Sequence, residues 1–351
     1  MGRVMRAALA ALAFAGLAAA TPAGAAQAPK PLFAGSETIH LTLKAPFPAL
    51  QRNRLAADDK VAGSLTVQGV AAETLPVMLS VRGITRRRRD VCTFPPIRVE
   101  FPDKPPPASL FKGQKRLKLV THCQDRENFQ QHILLEYAAY RMFNLLTPAS
   151  FRVRLASIDY VDPNGRPVIS RLGYFIEDID DVARRNGLAR YKTQARVPPA
   201  DLDPQAAARF VVFQDMIGNL DWAMTAGPAD TDCCHNSRLL SAKGATSGFI
   251  TVPYDFDFSG LVDAPYATPP EAFKLANVRV RKYRGYCRHN AEAQAFAAEL
   301  AARRTAILGV LDETPQLDER ARRKAAEYLG GFFDQIAAPQ GVTTMLQGCI
   351  G

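Results

Sequence analysis

The segment Tyr254-Asp255-Phe256-Asp257-Phe258 sets two carboxylates into an otherwise apolar strand end. Charges so placed are costly unless paired or metal-bound, so the fold must bring a cation to them. Upstream, apolar runs at 238–240 and 249–254 flank a turn rich in Ser and Gly, the signature of a β-hairpin. Hairpin strands run antiparallel, which places Asn236, before the first strand, beside Asp255, after the second. An amide and two carboxylates gathered this way suit a hard divalent ion that bridges phosphate oxygens. Asn236, Asp255 and Asp257 are therefore the expected metal ligands, and the spacing leaves open which aspartate is the main one. Asp221, earlier on the same loop, is left free to act as a base.

The chain opens with Arg3 and Arg6, an Ala/Leu/Phe run at 7–20 and Ala23-Gly24-Ala25. This is the pattern of a secretory signal peptide over 1–25, followed by a flexible Pro/Ala/Gly-rich leader at 26–36. No later run is long and apolar enough to span a bilayer, so an exported protein, periplasmic or extracellular, is expected. Six cysteines in such a chain predict disulfides, which here would pin the loop around Cys233 and Cys234 to the body. A zinc site on Cys233, Cys234 and His235 is the alternative, although adjacent ligands match none of the usual spacings. The formal charge is +10, and loss of Arg3 and Arg6 with the signal peptide makes it +8. Such a surface favours acidic or phosphorylated partners, an anionic envelope or nucleic acid. The arginine run at 86–89 reads as a solvated loop, and the lack of interleaved aromatics argues against nucleic acid.

Short alternating runs at 39–43, 63–70, 75–82, 97–101 and 115–121 predict strands in the first half. A helix starts at Asp125 and stops before Pro148, and Phe129, Ile133, Glu136 and Tyr140 share one of its faces. Glu136 thus interrupts an apolar stripe and needs a cation, for which Lys118, between Leu117 and Leu119 of the preceding strand, is the expected partner. A second hairpin over 151–176 turns at Asp162-Pro163-Asn164-Gly165 and ends at Glu177-Asp178. Beyond it the chain reads as mainly helical, at 204–218, 291–311 and 317–337, with a basic loop at 278–287. The α+β organisation expected is a β-rich lobe over 37–177 with one long helix and a mainly helical lobe over 178–351.

That order of parts is a strand lysine, a helix glutamate, a hairpin, an aspartate loop with a trailing asparagine, then a second hairpin leading to Pro253-Tyr-Asp-Phe-Asp257. It resembles the CotH-like family of exported or spore-coat kinases, over about residues 76–260. The resemblance implies a bilobal protein-kinase-like fold that transfers the ATP γ-phosphate to a hydroxyl, Ser or Thr of an envelope or secreted protein or a small molecule. It implies that Lys118 holds the nucleotide phosphates and pairs with Glu136, that Asp221 accepts the hydroxyl proton, and that Asn236 with Asp255 binds Mg2+ or Mn2+. Glu177 would meet the adenine. Two features depart from the family pattern: no glycine-rich loop precedes Lys118, and fourteen residues separate Asp221 from Asn236. A pseudokinase or envelope-binding module and a nucleic-acid-binding protein are the competing classes, the last suggested by the arginine run alone.

Overall fold

Alternation of inward apolar and outward polar residues builds seven strands along the first half of the chain. They are β1 (Ile39–Lys44), β2 (Lys60–Val67), β3 (Glu73–Val81), β4 (Ile97–Glu100), β5 (Arg116–Val120), β6 (Val153–Val161) and β7 (Pro167–Ile176). The computed structural model describes residues 26–52, 54–55, 59–69 and 72–351. The expected signal peptide at 1–25 lies outside the described residues.

The strands form one closed barrel in the order β1-β2-β3-β4-β5-β7-β6. Closure comes from β1, which pairs antiparallel with β2 on one side and parallel with β6 on the other, Leu41 opposite Ile158 and Leu43 opposite Tyr160. This overturns the expected bilobal protein-kinase-like fold, because the β-rich region closes on itself. The reason is physical. An alternating strand looks the same in an open sheet and in a barrel, and the pairing of residues 39–44 with 156–161 leaves no local signature. Closure removes the unpaired edges that an open sheet would present to other chains. Leu41, Leu79, Val99, Leu119 and Phe175 belong to the apolar core of the barrel.

A second core gathers the helices: α2 (Gln130–Asn144), α3 (Ile179–Arg185), α4 (Pro204–Ile217), α5 (Asn290–Ala302), α6 (Arg304–Glu313), α7 (Glu319–Ala337) and α8 (Gly341–Leu346). A short α1 (Phe47–Arg52) instead joins the barrel core through Phe47 and Leu50. The helix read over 291–311 is two helices, because Arg303 leaves helical geometry between α5 and α6. Against the helices lies a three-stranded antiparallel sheet ordered β10-β9-β8, comprising β8 (Ala189–Tyr191), β9 (Ser237–Ser241) and β10 (Ile250–Pro253). Pro253 at the end of β10 sits opposite Ser237 at the start of β9, so the hairpin does bring residues 236 and 254 together.

α4 aims the loop that carries Asp221. Asp203 caps its first turn by accepting from the Ala206 N–H at 2.7 Å, and Pro204 starts it. Gly218 stops it at φ 63°, where a Cβ would also lie 1.9 Å from the Tyr328 hydroxyl, so only glycine serves.

All six cysteines are paired, Cys92 to Cys123, Cys287 to Cys349 and Cys233 to its neighbour Cys234. The expectation of disulfides holds, but not the expected pinning. Cys233 and Cys234 bind each other, so neither tethers its loop to the body and neither is available as a zinc ligand. Among the described residues no helix is long and apolar enough to cross a membrane.

Candidate functional site

Two strongly charged places adjoin each other at the end of β10. The first is an acid pocket. After Pro253 the backbone turns through Asp255 at φ 66°, and the Asp255 N–H donates to the Tyr140 hydroxyl at 2.8 Å. Asp257 is buried and accepts from the Tyr266 hydroxyl at 2.9 Å. Glu136, one turn before Tyr140 on α2, is also buried, and ligand oxygens of Glu136, Asp255 and Asp257 all lie within 4.8 Å of one another. Burial pushes the Glu136 carboxyl up to about 7, with Asp255 adding to it against the pull of Arg86. Burial, then Asp255 and Glu136, hold Asp257 well above the carboxylate range.

The counter-charge inside this pocket is Arg86, only 6% exposed. Its Nη1 reaches Glu136 Oε2 at 3.4 Å and its Nη2 donates to the Thr121 carbonyl at 2.8 Å. The expected Lys118–Glu136 pair is therefore replaced by Arg86–Glu136. The arginine run is not uniformly solvated either. Arg88 pairs with Asp90 at the surface, Arg89 donates to the Gln51 carbonyl at 3.1 Å, and Arg86 turns inward. Burial alone would drive the proton off Arg86, but Tyr266, Glu136 and Asp257 outweigh it. Glu136 Oε1 and the Tyr174 hydroxyl are buried near each other, and the hydroxyl pulls the Glu136 carboxyl down as a hydrogen-bond donor would. Three carboxyl groups whose ligand oxygens lie this close are a donor set that could hold a hard divalent cation.

The second place is a basic cleft between the outer face of the barrel and the three-stranded sheet. Leu117 and Leu119 point into the barrel, so Arg116 and Lys118 face outward, with Arg98 of β4 in register beside Lys118. Arg190 of β8 and Arg238 of β9 line the opposite wall. The Lys118 ammonium lies 5.0 Å from the centre of the Tyr254 ring, and the Arg238 guanidinium lies 4.5 Å from it. Of these five cations only Arg190 is ion-paired among the described residues, to Asp232 at 3.4 Å. Desolvation, then Arg82 and Arg238, hold Lys118 down at about 7, against Asp255 and Asp178. Glu177 and Asp178 lie on the cleft floor. The Glu177 carboxylate is engaged, accepting from Arg185 Nη2 at 3.0 Å and the Arg152 N–H at 3.0 Å. Asp178 caps α3.

The Asp221 loop reaches Tyr254 through Asn236. The Asp221 N–H donates to Asn219 Oδ1 at 3.0 Å, and the Trp222 indole N–H donates to the Asn219 carbonyl at 2.8 Å. The chain between 221 and 236 folds back on this turn, the Ala223 N–H donating to the His235 carbonyl at 2.9 Å. His235 Nε2 then lies 2.7 Å from Asp221 Oδ1, and Asn236 Nδ2 donates to Asp221 Oδ2 at 2.9 Å. Its hydrogen bond to the Asp221 carboxylate raises the His235 ring above its ordinary value. Asn236 sits next to Tyr254, whose N–H it accepts at 3.2 Å, but its amide nitrogen serves Asp221, and only Oδ1 is left to offer a cation.

Sequence reasoning missed Arg86, Arg98, Arg238 and the Asp221–His235 contact. Arg98 was legible as an outward residue of an alternating strand, and Arg238 as a charge inside an apolar run. Nothing local marks which arginine of a run turns inward. No protein-family model and no curated protein matches the chain, so the residues themselves carry the assignment.

Proposed function

We propose that this chain is a metal-dependent phosphotransferase, acting after export on a hydroxyl of an envelope or secreted protein, with ATP as donor. The observation that carries this reading is the meeting of the acid pocket and the basic cleft at Tyr254-Asp255. One side supplies three close carboxyl groups, and the other supplies cations of which all but Arg190 lack a carboxylate partner among the described residues. The resemblance to CotH-like kinases supports it at the level of the residues alone, because the barrel departs from the kinase fold. Three disulfides support maturation in an oxidising compartment.

Glu136, Asp255 and Asp257 would hold Mg2+ or Mn2+, with Asn236 Oδ1 adjoining them. When bound, such an ion neutralises charge on the phosphate oxygens. Lys118, Arg98 and Arg238 orient the phosphate chain. Asp221, steadied by His235 and Asn236, accepts the proton as the acceptor oxygen bonds to phosphorus and the bridging bond to ADP breaks. Little covalent help is needed, so placed charge and alignment provide most of the rate.

A second reading, binding without turnover, is favoured by one observation: Lys118 lacks the carboxylate partner that would keep it charged. The two separate on labelled ATP with Mg2+ or Mn2+, comparing wild type with Asp221→Ala and Asp255→Asn. Transfer by wild type that falls by about 10²-fold or more in both variants supports catalysis. ATP binding without transfer supports the second reading. Equal transfer by all three, or neither binding nor transfer, removes both.

A further inference from the structure

The basic segment 278–287 has no part in the cleft or the acid pocket, yet two of its arginines reach deep into the molecule. Arg281 Nη2 donates to the Tyr328 carbonyl at 2.6 Å, and its Nε lies 3.1 Å from the Asp215 carbonyl, securing the last turn of α4. Arg284 continues the grip onto the next residues. Its Nη1 donates to the Leu220 carbonyl at 2.8 Å and to the Trp222 carbonyl at 3.2 Å. These carbonyls stand on either side of Asp221. The guanidinium lies against two rings, 4.5 Å from the Trp222 centroid and 4.6 Å from that of Phe273.

The segment is itself held from behind. Cys287 is bonded to Cys349, the Cys287 N–H donates to the Ile350 carbonyl at 2.9 Å, and Tyr286 Oη lies 2.9 Å from Thr225 Oγ1. A planar guanidinium on an anchored strap is thus clamped to the carbonyls of the two residues flanking one aspartate. Lysine cannot reproduce this, because its point charge neither spans two carbonyls in a plane nor stacks as a plane against two rings.

We propose that Arg284 is a positioning residue that fixes the direction of the Asp221 carboxylate. It makes no ion pair with the Asp221 carboxylate, which favours its charge only from a distance, and does not line the cleft; it holds the loop by its backbone carbonyls. The inference rests on the reading of Asp221 as the base, and its test includes readouts independent of that reading. Trp222 is the single tryptophan of the chain, so intrinsic fluorescence reports the Arg284 stack directly. The Asp221 N–H, held by Asn219, reports the turn by hydrogen exchange.

Arg284→Lys and Arg284→Met are compared with wild type in the full chain. Expected are a shifted Trp222 emission, faster exchange of the Asp221 amide, and a kcat lowered by roughly 10²-fold in Met and less in Lys, with KM for ATP unchanged. If wild type transfers no phosphate, the proposed reaction fails, while the fluorescence and exchange changes still support the positioning role. Unaltered emission and exchange in the Lys variant overturn it, as does a kcat loss equal to the unfolded fraction. Should the Met variant not fold, the Lys variant decides.

Discussion

In the acid pocket, Arg86 is buried against a glutamate and a backbone carbonyl and keeps its charge. In the basic cleft, across Tyr254 and Asp255, Lys118 is enclosed with no bonded carboxylate and other cations near it, and its affinity for a proton falls to about 7. Enclosure alone therefore does not decide whether a buried cation stays charged. The partner within bonding reach does. The Arg86–Glu136 pair forms as the chain folds, whereas Lys118 is left without a carboxylate partner among the described residues.

The strongest way to break this contrast is Arg86→Met, which strands Glu136 in the interior. A loss of about 3–5 kcal/mol in denaturant unfolding is expected, with most of it restored by adding Glu136→Met. Stability unchanged in the single variant would show that Glu136 is neutral without help. Next in size is Cys92→Ala with Cys123→Ala, which frees the loop that presents Arg86. Its expected cost is about 2–4 kcal/mol in the same measurement.

Lys118 gives opposite slopes with pH. Between about 7 and its ordinary value of 10.5, the folded lysine is neutral while the unfolded one is charged. The unfolded chain then binds more protons, so stability should climb with pH across that window. Anion binding needs the charged form and should weaken over the same range, by up to about tenfold per pH unit. Thermal unfolding and sulfate titration, whose probe keeps its charge over this range, measure the two slopes. Both should flatten in Lys118→Met, and slopes that persist there would assign them to another group. Smallest is Arg88→Ala, which removes an exposed, solvent-screened pair with Asp90 and should leave the unfolding midpoint almost unchanged.

Much of the site could be read from the sequence because its determinants are local. The hairpin that joins residues 236 and 254 is announced by two apolar runs and a turn, and Glu136 by its break in a helical stripe. Lys118 was legible as the outward residue between two inward leucines. What failed was pairing over distance. Glu136 needed a cation, and the nearest charged residue on an adjacent strand was the economical guess. A loop bonded through Cys92 to Cys123 brings Arg86 there instead, and spacing does not encode that fold-back. The barrel escaped notice for the same reason, since β1 finds β6 by topology rather than by composition.

The parallel seam between β1 and β6 also bears on how the molecule is made. Four strands and two helices intervene between its halves, so the first strand to emerge waits, one side bare, until much later sequence appears. Through that interval the half-built ring offers a sticky flank to any other nascent chain, and the hazard ends only when the last staves slide home.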